Sequence, residues 1–206
     1  MRHAIGLAAT LALLAVLAPP ALASDSGPLY TWRYAELYYA SEAVPSSSPG
    51  IHSQLTIRIS QSETRDGATS TVQVISTGWS TSAGGGMDYD WYAAYEIVGP
   101  YDPSLGGVDP SLRSAWISTG PIELACYQGQ CPALPAQLSV SGTWTATGPA
   151  SATTEKVIDD LGWSSNLMRR ERPASSDVVL SPALDRPAVL IRSVIASQSQ
   201  VSIPLR

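Results

Sequence analysis

Apolar residues recur at every second position in several separate segments, and this alternation is the strongest constraint on the fold. Residues 55–60, 88–97 and 138–147 each place apolar side chains at one parity and mostly polar side chains at the other. That period is typical of a β-strand with one buried and one hydrated face. Residues 154–161 form the one segment with a helical pattern, and we expect at most a short turn of helix there.

Turn-forming residues separate these segments and divide the chain into about nine strands. Helical crossovers are missing, so the strands are expected to pair antiparallel. The sequence therefore predicts an all-β fold, an antiparallel β-sandwich, with a barrel as the second choice. Further strands are predicted at Leu29–Ala40, Ser70–Trp79, Ser114–Cys126, Asp177–Leu180, Ala188–Ala196 and Gln200–Leu205.

The first 23 residues have the organisation of a secretory signal peptide. Arg2 precedes an uncharged apolar run, two prolines and Ala21-Leu22-Ala23, the small-x-small pattern after which signal peptidase cuts. We predict cleavage after Ala23 and one mature, secreted domain comprising residues 24–206. No later apolar stretch reaches the roughly 20 residues of a membrane-spanning helix, so no transmembrane segment is predicted.

The charge of the chain restricts its partners. It carries 17 acidic and 12 basic side chains, a formal net charge of −5 at pH 7. Loss of the signal peptide would remove Arg2 and no acid. Nucleic acid and anionic membranes both require a basic surface, so we expect neither as a partner. An extracellular protein or a polysaccharide is the expected kind of partner.

The two cysteines, Cys126 and Cys131, enclose four residues that include Gly129. Export exposes them to an oxidising environment, so a structural disulfide across a hairpin loop is expected. The alternatives are a redox-active pair or half of a metal site. A redox motif more often has two intervening residues, and no further cysteine or nearby histidine completes a metal site.

The catalytic inventory is small. His52 is the one histidine outside the predicted signal peptide, and we expect a solvated loop residue there. No nucleophile elbow, phosphate loop or cofactor fingerprint is visible, so we predict no enzyme activity, no catalytic residue, no cofactor and no metal. Two carboxylates can suffice for a glycosidase. The strand candidates, each expected to be a solvent-facing charge, are Glu36, Glu96, Glu123 and Glu171.

Two charged segments have alternative interpretations. Asp88 and Asp90 follow three glycines and are candidate Ca²⁺ ligands, although the segment lacks the regularity of a calcium-binding loop. Residues 169–172, Arg-Arg-Glu-Arg, are expected in a solvated loop or as a guard on an edge strand. The alternative for this basic segment is a docking site for an acidic surface.

The chain has no phenylalanine, so every aromatic ring except histidine's belongs to a tyrosine or tryptophan. Such rings stack on sugars or anchor protein partners. The candidate ligand-binding residues are Trp32, Tyr38, Trp91 and Tyr92. The other interpretation is that large rings fill the core, which we expect for Trp79, Trp116 and Trp144 and leave as an alternative for Trp91.

Residues 138–149 end in Trp144-Thr145-Ala146-Thr147-Gly148-Pro149 and are followed by Arg170-Glu171-Arg172 and residues 175–180. This part of the chain resembles a group of secreted bacterial proteins with no assigned activity. The resemblance covers roughly the last 90 residues. It implies an extracellular β-domain and carries over no functional residue.

These observations favour a secreted, non-enzymatic binding or structural accessory. A carbohydrate-binding module and a small carboxylate-based glycoside hydrolase are the alternatives.

Overall fold

The structure, a computed structural model, consists of antiparallel strands. It describes residues 28–41, 50–64, 66–81, 87–129, 131, 134–158, 164–184 and 186–202, so the predicted signal peptide lies outside the described residues. These ranges contain eleven strands and no helix, which confirms the all-β prediction. The strands are β1 (Pro28–Ala40), β2 (Gly50–Thr64), β3 (Gly67–Thr81), β4 (Met87–Pro100), β5 (Gly106–Val108), β6 (Ser114–Ser118), β7 (Ile122–Gly129), β8 (Gln137–Ala146), β9 (Ser151–Ile158), β10 (Ser164–Ser181) and β11 (Val189–Ser202).

All eleven strands belong to one hydrogen-bonded sheet with the order β5-β6-β8-β7-β4-β3-β2-β1-β11-β10-β9. Strand β8 has a third partner, because it also pairs with β10. Within the described ranges, no helix is long and apolar enough to cross a membrane.

Strand β10 changes its partners part-way along its length. Its first half lies between β9 and β11, whereas residues 174–181 pair with β8. The ladder with β11 ends at Pro173. Proline has no N–H to donate, so it is suited to the end of a ladder. The two halves of β10 therefore serve two different parts of the sheet.

The sheet packs against itself in two layers around one core, and the pairing of β8 with β10 joins the two layers. Buried side chains of β1, β2, β3 and β11 share this core with those of β5, β6, β8 and the second half of β10. Trp144 is fully buried in this core, as predicted. Trp79 is also buried, but it lies opposite His52 on the outer face rather than in the core cluster. The prediction for Trp116 is wrong, because it lies on the solvent side of β6 and is 41% exposed.

A buried amide connects the two layers. The Gln61 side chain of β2 donates from Nε2 to the Gly106 carbonyl oxygen at 3.4 Å. Its Oε1 accepts from the Val108 N–H at 3.2 Å. Gln61 thus forms hydrogen bonds with backbone groups on the unpaired edge of β5, as a neighbouring strand would. These bonds stabilise the fold, because buried backbone groups without a partner are costly.

Three local predictions differ from the structure. Residues 154–158 belong to strand β9 rather than to a helical turn. The predicted strand Ser114–Cys126 is two strands, β6 and β7, because Gly120 and Pro121 interrupt it. The two strands predicted after residue 187 are the single strand β11.

Gly142 is a position at which this fold tolerates no side chain. It has φ of +153°, and an added Cβ would lie 2.1 Å from the Asp177 carbonyl oxygen of β10. We expect Gly142→Ala to lower the free energy of unfolding by more than about 2 kcal/mol, because backbone strain and overlap combine. Gly120→Ala is the control, since nothing lies within 4 Å of its added Cβ. Urea unfolding measures both, and equal stabilities would contradict this prediction.

Two aspartates in the loops beside β5 make the free energy of unfolding depend on pH in the acidic range. Hydrogen bonds from the Ser104 hydroxyl and N–H lower the pKa of Asp102, and those from Ser111 do the same for Asp109. Each aspartate with a lowered pKa stabilises the fold when the pH is above the ordinary pKa near 3.8. This stabilisation is lost as the pH falls through the lowered pKa. We therefore expect the stability difference between the wild type and an Asp102→Asn/Asp109→Asn variant to shrink from pH 7 to pH 2. Urea unfolding at each pH measures this difference, and a difference that is the same at pH 7 and pH 2 would contradict the prediction.

Candidate functional site

One face of β1 is directed away from the core, because Ala35 and Leu37 on its other face are buried within it. Trp32, Tyr34 and Tyr38 lie on this outer face, as the alternation of a strand requires. The rings of Trp32 and Tyr34 are neighbours, with centroids 4.5 Å apart. Two of the four predicted ligand-binding residues, Trp32 and Tyr38, therefore share one surface.

Arg58 of β2 lies over this aromatic pair. The central carbon of its guanidinium group is 5.7 Å from the Trp32 ring centroid and 5.5 Å from that of Tyr34. Both distances are within the range of a cation–π interaction. The two half-buried rings are thus held against a charged side chain of the neighbouring strand.

Glu36 is a buried charge on the same face and is only 5% exposed. Arg58 Nε donates to its Oε2 at 2.8 Å, and Arg192 Nη1 lies 3.6 Å from its Oε1. A buried carboxylate requires such compensation for lost hydration. The expectation of a solvent-facing Glu36 is therefore wrong. Burial, and then the negative charge of Glu36, raise the pKa of Tyr38.

Arg192 of β11 joins Glu36 to a second carboxylate. Its Nη2 donates to Glu171 of β10 and lies 3.5 Å from the hydroxyl oxygen of Tyr34. Burial acts to lower the pKa of Arg192, but Tyr34, Glu171 and Glu36 together raise it above its ordinary value. A chain of alternating charges consequently crosses β2, β1, β11 and β10.

An open pocket of about 440 Å³ lies beside this chain of charges. Ala196 of β11 lines it and stands in register between Tyr34 on β1 and Glu171 on β10. Because alanine is small and buried, it leaves a depression between its two larger neighbours. The volume suits a small-molecule site. We call it the outer-face pocket, and its other polar lining includes Ser151, Thr153, Arg169, Arg192 and Gln198.

A row of side chains crosses the sheet next to Ala196. Trp32, Gln198, Arg169 and Thr153 lie directly opposite one another on β1, β11, β10 and β9. Directly opposed residues of neighbouring strands point to the same face. Gln198, Arg169 and Thr153 of this row line the pocket, and Trp32 lies at the end of the row, next to the lining.

The basic segment 169–172 lies inside the sheet. It belongs to β10 and has β9 on one side and β11 on the other, so the loop and the edge-strand interpretations are both wrong. Arg169 and Glu171 face outward, whereas Arg172 donates to the Gly148 carbonyl oxygen at 3.0 Å. Among the residues that the structure describes, Arg169 has no ion-pair partner.

The other two predicted ligand-binding residues lie elsewhere. Trp91 and Tyr92 belong to β4, which β3 and β2 separate from β1. The ring of Tyr92 contacts that of Tyr127, with centroids 5.6 Å apart. The Trp91 side chain lies outside the described residues. The structure therefore does not bring these residues to the outer-face pocket.

The predicted disulfide joins Cys126 and Cys131, with an S–S distance of 2.04 Å. Cys126 lies in β7, but Cys131 lies in the connection to β8 rather than on the second strand of a hairpin. Its sulfur is 3.7 Å from the Tyr92 carbonyl oxygen. The bridge thus holds the end of β7 against β4, away from the pocket.

His52 is not the solvated loop residue that we expected. It lies in β2, is 7% exposed and stacks on Trp79 of β3 with 5.5 Å between ring centroids. It is on the same face of the sheet as Arg58, but six residues away from Arg58 along β2, and it is Arg58 that lies opposite Glu36. Nothing places it beside the carboxylates of Glu36 and Glu171.

Of the four candidate carboxylates, the structure brings together Glu36 and Glu171, which both bind Arg192. Glu96 and Glu123 are exposed on other strands. No group of three or more histidine, cysteine, aspartate or glutamate residues that could hold a metal ion occurs among the described residues. The side chains of Asp88 and Asp90 lie outside them, so their calcium binding stays a hypothesis.

Sequence reasoning missed Arg58, Arg192 and Gln198. Arg58 occupies an outward position of an alternating segment, which indicates its face but not its partner. Arg192 and Glu36 come from distant parts of the chain, so their proximity depends on the pairing of β1 with β11. Only the tertiary register reveals it.

Comparison of the chain with protein-family models, with curated proteins and with solved structures finds no match.

The ion pairs of Glu36 should support the sheet. We expect Glu36→Gln to lower the free energy of unfolding by about 2–3 kcal/mol, because two cations lose their counter-ion. Glu96→Gln is the matched control, since the exposed Glu96 accepts a hydrogen bond from Gln73. The control should change stability by less than about 0.5 kcal/mol. Thermal and urea unfolding measure both, and a neutral Glu36→Gln variant would contradict the prediction.

Proposed function

We propose that this chain is a secreted, non-enzymatic binding protein that holds a polysaccharide at the outer-face pocket. The observation that carries the proposal is the open pocket beside the Trp32–Tyr34 ring pair, walled by Arg169, Arg192 and Gln198. Aromatic faces take the apolar faces of sugar rings, and amide and guanidinium groups bind hydroxyl groups. The predicted signal peptide and the disulfide support an extracellular location.

A saccharide is favoured over a protein partner by the shape of the site. Specific protein interfaces bury about 800 Å² on each partner and depend on large anchors in well-packed pockets. Here the feature is a polar depression in a sheet, with Ala196 in its floor. A flexible polymer of small, hydroxylated units fits such a depression.

The alternative of a carboxylate-based hydrolase has one supporting observation, the meeting of Glu36 and Glu171 at Arg192. A catalytic pair must direct its carboxyl groups at the scissile bond and at water. Both oxygens of Glu36 instead face guanidinium groups. Binding without cleavage is therefore the better account, and release of reducing sugar from a bound polymer would overturn it.

Retention on insoluble polysaccharides tests the proposal. We expect the wild type to be retained on at least one polymer and Trp32→Ala to bind at least about tenfold more weakly, because the stacking ring is removed. Trp116→Ala is the matched control, since Trp116 is a half-exposed tryptophan on the other layer. It should bind like the wild type. Far-UV circular dichroism checks that each variant is folded.

The proposal fails if no polymer in a broad panel retains the wild type. It also fails if the two tryptophan variants bind equally well.

A further inference from the structure

The charges around the outer-face pocket are unevenly compensated. Arg58 and Arg192 are matched by Glu36 and Glu171, so these four side chains neutralise one another. Arg169 and Arg170 line the same pocket and, in the part of the chain that the structure describes, neither has an ion-pair partner. Of these two uncompensated guanidinium groups, that of Arg169 belongs to the row of outward side chains that contains Gln198 and Thr153.

Arg169 is placed to act together with the aromatic ring. It lies opposite Gln198, which lies opposite Trp32, so two strand spacings separate Arg169 from Trp32. Neighbouring strands are about 4.8 Å apart, so the Cα atoms of Trp32 and Arg169 are about 10 Å apart. One sugar unit on the ring would leave its substituents, or the next unit, within reach of the guanidinium group.

The preferred partner of a guanidinium group is a carboxylate, which it binds through two parallel hydrogen bonds. On the far side of Arg169, Thr153 of β9 adds a hydroxyl group. The row consequently offers a stacking surface, hydrogen-bonding groups for hydroxyls and one anion site. That combination matches a sugar acid.

The net charge of the whole chain is −5 at pH 7, so it provides no long-range attraction for an anionic polymer. An anionic group must therefore be recognised at short range, through Arg169 itself. A carboxylate carried on a sugar unit next to the ring is a group that Arg169 can recognise in this way.

We infer that the outer-face pocket selects polysaccharides that contain uronic acids and that Arg169 binds their carboxylate. This inference rests on the proposed function, because it names the class of polysaccharide held at the same pocket.

The test uses two pairs of polymers, and the members of each pair differ only in whether the carboxylate is free or esterified. The pairs are polygalacturonate with its fully methyl-esterified form and alginate with its ester. Binding of the mature protein is followed by tryptophan fluorescence at fixed ionic strength. We expect the wild type to prefer the free acids by at least about tenfold, since a charge-assisted bidentate pair is lost on esterification. Arg169→Gln should bind acid and ester equally.

Lys156→Gln is the matched control for charge. Lys156 lies on β9 near Thr153, but an odd number of residues away, so its side chain points to the opposite face. The Lys156→Gln substitution removes the same unit of charge as Arg169→Gln and at the same end of the molecule. The Lys156→Gln variant should keep the preference for the free acid. Circular dichroism and melting temperatures confirm folding of both variants.

The possible failures are distinguishable. If acid and ester bind equally and Trp32→Ala weakens both, the proposed function stands and the selection of uronic acids is wrong. If Arg169→Gln and Lys156→Gln lose the acid preference equally, the preference is general charge attraction and the role of Arg169 is wrong. If no polymer of any kind binds the wild type, the proposed function fails and the inference fails with it.

Discussion

The change of partner in strand β10 at Pro173 is the constraint on which the rest of the structure depends. Before Pro173, β10 pairs with β9 and β11 and supplies Arg169 and Glu171 to the outer face. After it, β10 pairs with β8 and supplies Val178 and Leu180 to the core. One strand therefore builds both the packing that closes the two layers and a wall of the pocket. Displacement of its second half would disturb the first.

The buried carboxylate of Glu36 organises the face on which the pocket lies. A buried ion pair adds little stability relative to apolar side chains of the same shape, although removal of one partner alone, as in Glu36→Gln, is costly. Its effect here is positional, because Glu36 holds Arg58 over the rings of Trp32 and Tyr34 and also binds Arg192, which in turn binds Glu171. The side chains around the pocket are thus ordered before any ligand arrives, which lowers the entropic cost of binding.

The alternating segments made the class of fold predictable, because a buried face leaves a period of two in the sequence. A strand with neither face buried leaves no such period. Residues 154–157 of β9 are mostly exposed on both faces, so charged residues suggested a helical turn. Residues 169–172 of β10 are polar for the same reason and suggested a loop. The face of Trp32 and Tyr38 followed from alternation, but their separation from Tyr92 depends on strand order, which no local pattern contains.

The wrong predictions for β9 and β10 and the position of the pocket have the same physical cause. Strands β1, β2, β10 and β11 have 13 to 18 residues, whereas β5 and β6 have three and five. The short strands cover only part of the long ones, and Arg33 and Glu63 form an ion pair on the core-side face where that cover ends. A sheet that no longer has to bury this region can carry charged and polar groups on both faces without disrupting the core. The outer-face pocket lies on strands of this kind, where the demands of packing on side-chain identity are weakest and those of recognition can be met.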